Sequence, residues 1–266
     1  MPANQKFKHA IAYGDSHFPF QDDAALSVVK RVIADVRPEK VIHMGDLIDC
    51  WQISTFDRDP LRRESLQDDA DVGFAHLKEI YMLTPEAEHY YLEGNHEQRL
   101  TRTIARMNDQ QRELAKLRNF QKYVNWPAIM AEAGVDMWKF VPLKGQARRR
   151  IFPNMVTKHG TKVRAKSGYT ASAEMVKYGQ SGISGHTHRL GAVYHRDFNG
   201  SVGWAETGCT CDLVPEYTED PDWQHGLIVI TFNNDWKYFH FESVYIQEGS
   251  CIWRDHRYRP AGKQDD

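Results

Sequence analysis

Five times along this chain an apolar run ends beside a glycine and one or more side chains able to bind a cation. The junctions are GDSH at residues 14–17, GDLID at 45–49, GNHE at 94–97, HG at 159–160 and GHTH at 185–188. In the first, Asp15 and His17 alternate along an extended segment and so project to one side of it. A lone Asp-x-His pair is more often a turn residue and a satisfied histidine. Acid, amide and imidazole groups recurring at successive strand ends shift that balance.

The segments between the junctions set the topology. Residues 8–13 read as a buried strand, and AALSVVKRVIADV after Asp22 and Asp23 as an amphipathic helix closed by Pro38. KVIHMG from Lys40 is the next strand. Strand, helix, strand implies a parallel pair with a right-handed crossover, and such sheets gather ligands at the carboxyl ends of their strands. Residues 51–64 read as a surface loop, SLQDDADVGFAHLKEIYMLTP as a helix and EHYYLEG as a third strand.

Over residues 98–150 the rhythm gives way to long helical stretches, which predicts an inserted, cap-like lobe. It resumes with RIFPNMVTKHG, a short helix in SGYTASAEMVKYG and the strand before GHTH. Beyond Gly191 two hairpins follow, around Asn199-Gly200 and around Asn233, Asn234 and Asp235. The tail, 257–266, is expected to fray.

At 266 residues with a formal net charge of -2, the chain suits one large domain with no global attraction to polyanions. No apolar run has the length of a membrane span and MPANQKFKH lacks a secretory stretch, so a soluble, cytoplasmic protein with no membrane partner is expected. Four scattered cysteines do not make a disulfide scaffold. Cys209 and Cys211 read as strand residues facing one side.

Collected, the strand-end groups are Asp15, His17, Asp46, Asn95, His159, His186 and His188, with Asp49, His96 and Glu97 beside them. These donors suit manganese, iron, nickel or zinc, and they are too many for one such ion. Two ions sharing a bridging carboxylate would use them all, an arrangement that clamps an in-line displacement at phosphorus. The other histidines read as surface or core residues, His43 as packed in its strand; His225 has reach of the site from a late loop as its lesser reading. Asp49 has a competing reading as a helix cap.

GDSH, GDLID, GNHE, the HG at His159 and GHTH resemble the five blocks of the calcineurin-like metallophosphoesterase superfamily, in its order, over roughly residues 8–97 and 150–245. The resemblance implies an α/β metallophosphoesterase β-sandwich, two mixed sheets flanked by helices, with the C-terminal hairpins completing the second sheet. It implies Asp15, His17 and His188 on one ion, Asn95, His159 and His186 on the other, and Asp46 bridging, most simply with two Mn2+. It further implies attack by a metal-bridging hydroxide, His96 as general acid, Asp49 orienting it, and Glu97 in support.

The same resemblance separates branches. Ser/Thr protein phosphatases carry arginines just after GDxxD and just before GNHE, where this chain has Cys50 and Glu93, which disfavours a phosphoprotein substrate. The lobe carries Arg99, Arg102, Arg106, Arg112, Lys116, Arg118, Lys122 and Arg148–Arg150, with Lys158, Lys162, Arg164 and Lys166 near His159. Phe120, Tyr123, Trp126 and Trp138 interleave with these charges as candidate base-stacking groups. An ordinary solvated helix with core aromatics is the competing account. The expected activity is a nuclease-like phosphodiesterase acting on DNA, RNA or nucleotides, with Arg99, Arg102, Lys162 and Arg164 as candidate substrate contacts. Alternatives are a phosphomonoesterase or nucleotide pyrophosphohydrolase, and a catalytically silent scaffold. Oligomeric state is not legible.

Overall fold

The computed structural model describes residues 7–56, 61–117, 120, 124–215, 219–235 and 238–260. Arg118, Lys122, Tyr123 and residues 261–266 lie outside them.

A six-stranded sheet is built first. Strands β1 (Lys8–Tyr13), β2 (Lys40–His43), β3 (Glu88–Leu92) and β4 (Trp138–Val141) are parallel, each paired with the next. Helix α1 (Asp23–Val36) makes the first crossover; Asp22 caps it by accepting from Ala25 N at 2.7 Å. Helix α2 (Leu66–Leu83) makes the second and opens with a capping box between Ser65 and Asp68. Past β3 the described residues include the short helices α3 (Gln98–Ala105), α4 (Asp109–Ala115) and α5 (Trp126–Glu132).

The four-stranded sheet comprises β5 (Met155–Lys158), β6 (Ser181–Ser184), β7 (Leu190–Asp197) and β8 (Gly200–Thr207) in the order β5-β6-β8-β7. Helix α6 (Tyr169–Tyr178) lies between β5 and β6 in the chain. Then β9 (His225–Phe232) and β10 (Phe239–Ile246) form an antiparallel hairpin, and β11 (Cys251–Trp253) with β12 (His256–Tyr258) a small one.

Period-two alternation decides the layers. Ile11, Tyr13, Val41 and Tyr91 share a core with Val29, Ile33, Phe74 and Leu77 of α1 and α2. Their neighbours Ala10, Ala12, Ile42 and Leu92 turn to the opposite face and meet Met155, Ile183 and Ala205 of the smaller sheet. Outside that sheet, Val156 and Trp204 pack on Ala171 and Met175 of α6. The result is helix, sheet, sheet, helix, the expected sandwich. Each fully buried Ile, Val or Leu in these layers contributes roughly 1.5–3 kcal/mol. Gly182 is required where Trp204 crosses β6, since a Cβ there would stand 2.4 Å from the indole.

Four expectations need correction. Residues 138–141 are not helical: β4 joins the edge of the large sheet, so the excursion from it is shorter than 98–150. Trp138 and Trp126 are core residues, each 2% exposed, with indole N–H groups donating to Leu77 O and Glu97 O. They cannot stack on bases. The β9–β10 hairpin joins the large sheet beside β1, and only β7–β8 completes the smaller one. Residues 257–260 are not frayed, because Tyr258 is buried and its hydroxyl donates to Asp35 at 2.6 Å. Smaller differences are a 3-10 turn at Trp51–Ile53 in the expected loop and the placing of Gly200 in β8. Among the described residues no helix is long and apolar enough to cross a membrane.

Candidate metal centre

The loops after β1, β2, β3, β5 and β6 meet where the carboxyl ends of the parallel strands of both sheets converge. Five of the seven expected ligands occupy the left-handed region there: Asp15 (φ 51), His17 (φ 51), Asp46 (φ 50), His186 (φ 72) and His188 (φ 56). Each such residue costs on the order of 1–3 kcal/mol. Neighbouring hydrogen bonds hold them there: Asp15 N to Gly45 O and His17 N to Asp46 O, both 2.9 Å, and His186 N to Asp15 Oδ2 at 3.0 Å. Gly94 is obligatory in this crowd, because a Cβ would lie 2.0 Å from Asp46 Oδ1.

The structure brings all seven together. His17 Nε2 lies 3.1 Å from His188 Nε2, which is 3.4 Å from Asp15 Oδ1. His159 Nε2 lies 3.0 Å from Asn95 Oδ1, and ligand atoms of Asp46, His159 and His186 fall within 4.8 Å of one another. Asp46 Oδ2 stands between the two groups, 3.8 Å from His17 Nε2 and 3.2 Å from His159 Nε2.

The donor chemistry fits cations. His159 Nδ1 donates to Met44 O at 2.9 Å, and His17 Nδ1 lies 3.1 Å from Asp49 Oδ2. Both imidazoles therefore aim Nε2 inward, where a neutral ring offers only a lone pair. Carboxylate, amide and imidazole acceptors then face one another at hydrogen-bond distance, and positive charge must come from protons or from ions. Burial opposes protonation of His159, but Asp46 and Asp15 outweigh it and raise the ring to about 9. His188, likewise opposed by burial, is raised to about 10 by Cys211 and Asp15, whereas burial and His159 lower His186 to about 4.

Beside the cluster sits a second constellation. His96 Nδ1 donates to Asp49 O at 2.8 Å and lies 3.1 Å from Asp49 Oδ2, with Nε2 3.9 Å from Asp46 Oδ2. Burial works against its charged form, but Asp46 and Asp49 hold its pKa above the usual value. Asp49 is largely buried too; hydrogen bonds from His17 and His96 overcome desolvation and keep its carboxyl well below the normal range. The capping alternative fails, since the turn at Trp51 has no side-chain cap. Arg99 Nη1 donates to Asp49 O at 2.8 Å, and Nη2 lies 3.3 Å from His96 Nε2.

Glu97 is buried under the loops, accepting from the backbone N–H groups of Asp46, Ile48 and Gly94 and from Tyr91 Oη. Desolvation and Asp46 raise its carboxyl to about 7. It ties the GDLID loop to the GNHE loop.

The remaining expected contacts are dispersed. Arg102, Lys162 and Arg164 are exposed, and among the described residues no salt bridge ties them to the cluster, while Lys158 is buried against Glu174 at 3.1 Å. His43 packs in the core, 3.0 Å from Ser16 Oγ. His225 does not reach the cluster; its Nε2 donates to Cys211 O at 2.6 Å. Three further residues support the cluster, and of these only Cys211, through its C-x-C spacing with Cys209, stands out in the sequence. Gln146 accepts from His159 N at 2.8 Å and donates to Glu93 O at 2.7 Å, Cys211 Sγ stands 3.8 Å from His188 Nδ1, and the Trp223 ring packs on His188 with centroids 4.1 Å apart.

Residues 9–190 match the family model described as calcineurin-like phosphoesterase. The chain belongs to that family. It is 26% identical to the Gene 54 protein of Mycobacterium phage L5 over 241 residues (84% of this chain, 89% of that one). To the Gene 54 protein of Mycobacterium phage D29 it is 27% identical over 245 residues (86% and 90%). Among solved structures, Vacuolar Protein Sorting 29 from Cryptosporidium parvum aligns at 12% identity and TM-score 0.48, covering 92% of this chain and 95% of that one.

Cys50 and Glu93 stand at the two positions where an arginine is looked for in the sequence. Cys50 is wholly buried, and desolvation pushes its thiol well up. Glu93 accepts from Leu143 N at 2.8 Å and so fastens the turn after β4. Neither offers a phosphate-binding group.

Proposed function

We propose that this protein is a dinuclear metal-dependent phosphodiesterase acting on nucleic acid or nucleotides. Asp15, His17 and His188 hold one divalent ion, Asn95, His159 and His186 the other, and Asp46 both, with Mn2+ favoured over Ni2+, Fe and Zn2+. The observation that carries this is the position of Asp46, whose one oxygen lies within 4 Å of imidazoles from both groups. When bound, the ions supply the Lewis acidity that polarises a phosphoryl oxygen and makes water acidic enough to attack near neutral pH.

The protein's own side chains do the rest. In the charged form that Asp46 and Asp49 favour, and once the Arg99 guanidinium turns from Nε2 to the phosphoryl oxygens, His96 carries a proton at Nε2 for the leaving oxygen, and Asp49 fixes the ring by its Nδ1 side. Arg99 directs its guanidinium toward the phosphoryl oxygens, with Arg102, Lys162 and Arg164 as outer contacts. Glu97 keeps the GDLID and GNHE loops in register. A diester fits the loss of the two arginines that would grip a dianion at Cys50 and Glu93.

A second reading, a phosphomonoesterase or nucleotide pyrophosphohydrolase, is favoured by Arg99, since one guanidinium beside His96 can also grip a terminal phosphate. Turnover of bis-p-nitrophenyl phosphate, p-nitrophenyl phosphate and a labelled oligonucleotide with Mn2+ separates the two. Cleavage of the diester and the oligonucleotide is expected. Turnover of the monoester alone would make the diester assignment wrong, and an inert, fully metallated protein would make it a scaffold.

A further inference from the structure

Helix α3 starts two residues after His96, past the N-cap Glu97, and its eight residues, QRLTRTIA, include no acid. Arg99, Arg102 and Arg106, the last at the C-cap, fall at i, i+3 and i+7, on one face of the helix. The opposite side is apolar, with Leu100 packed against the main core. By helix geometry the second and third arginines stand about 4.5 and 10.5 Å further along the axis than the first. The inner end of the row is the guanidinium beside His96; its outer members are exposed.

The charges of α3 and α4 differ in kind. On α4, Arg112 pairs with Asp109 at 2.5 Å and Lys116 with Glu113, both at i,i+3, so that helix neutralises itself. Among the described residues Arg102 and Arg106 form no salt bridge, and the carboxylate whose field reaches Arg102 is Glu93, already held by Leu143 N. Arg99 has a partner in Asp49, Nη1 to Oδ1 at 3.6 Å, but the like charges of Arg102 and Arg106 on the same face are unfavourable without a counter-charge. A chain of phosphates supplies one at regular spacing.

We propose that the Arg99–Arg102–Arg106 face of α3 is a track for a nucleic acid strand, leading its phosphates outward from the one held at the metal centre. The proposal rests on the phosphoesterase reading only for what happens at the inner end. Arg99 takes the scissile phosphate, Arg102 and Arg106 take neighbouring ones, and Arg112 and Lys116 take none. These contacts carry no base information, so binding is sequence-tolerant, salt-sensitive and dependent on strand length.

The test is fluorescence anisotropy with fluorescein-labelled, phosphorothioate-linked oligothymidylates of two, four and eight nucleotides, using the Mn2+-loaded protein. Affinity is expected to rise with length. Arg102→Ala/Arg106→Ala should weaken binding of the longest probe about tenfold and flatten its log–log salt dependence by roughly 1.4, at ~0.7 per lost single-strand contact. Arg112→Ala/Lys116→Ala should change neither. Failure of the phosphodiesterase reading shows separately, as no turnover of bis-p-nitrophenyl phosphate by the wild type, and anisotropy still decides the track. An unchanged length dependence and salt slope in the α3 double variant, or equal losses in the α4 variant, would overturn it.

Discussion

Nη2 of Arg99 lies 3.3 Å from Nε2 of His96, three residues earlier in the chain. The imidazole thus has a carbonyl at Nδ1 and a guanidinium at Nε2, and Arg99 favours its neutral form while Asp46 and Asp49 favour its charged form. Removing the arginine tilts that contest. Arg99→Ala should raise the pKa of His96, so the loss of activity as the pH rises, when the acid is no longer protonated, moves to higher pH. At the optimum kcat/KM should fall about a hundredfold with metal content intact. A pH–rate profile with elemental analysis checks both.

His96→Ala should retain both ions and lose about a hundredfold or more in turnover of a dinucleotide, whose alkoxide leaving group needs a proton. The p-nitrophenolate of bis-p-nitrophenyl phosphate leaves without one. Its turnover should therefore fall much less, and equal losses on both substrates would remove His96 from the acid role.

Gly94→Ala places a methyl group where Asp46 Oδ1 already sits, 2.0 Å away, and displaces the one carboxylate that faces both imidazole groups. The variant should bind less than one equivalent of manganese after reconstitution, and its activity should not return with excess metal. Prolonged chelation of the wild type should also abolish turnover, but reversibly.

Glu88 joins β2, β3 and β4 at their amino ends, taking hydrogen bonds from Lys139 at 2.6 Å, Lys40 and Tyr90. These lower its carboxyl from the usual 4.5 to about 2. A depressed acid stabilises the fold above its unfolded pKa and loses that contribution as pH falls through the folded one. Glu88→Gln should thus lower Tm at pH 7, by no more than about 1 kcal/mol equivalent because the site is mostly exposed. The gap to wild type should close between pH 4.5 and 2.

The residues that cluster are legible because each belongs to a short polar block at the end of an apolar run, and local sequence carries that signal. Asp49 was legible too, although not its contact with His17, which depends on how two loops turn. What escaped depends on distant packing. Trp138 and Trp126 look like interleaved aromatics in a basic stretch, and only their packing against Leu77 and Phe74 of α2 shows them as core. The β9–β10 hairpin could flank either sheet, since a hairpin's alternation does not name its neighbour; Ile228 and Ile230 facing the interior beside Ala10 and Ala12 settle that. Gln146 and Trp223 act by position alone, with no motif to announce them.

Because the polypeptide returns to the large sheet as β4, parallel and adjacent to β3, everything between them is a single crossover. Its length can change without any strand finding a new partner, and its first turn is fixed by His96 however far the remainder wanders. The middle of the crossover can therefore be rewritten while Asn95, His96 and Arg99 at its start keep their places, and an engineer can graft a foreign excursion beyond them that rejoins at β4.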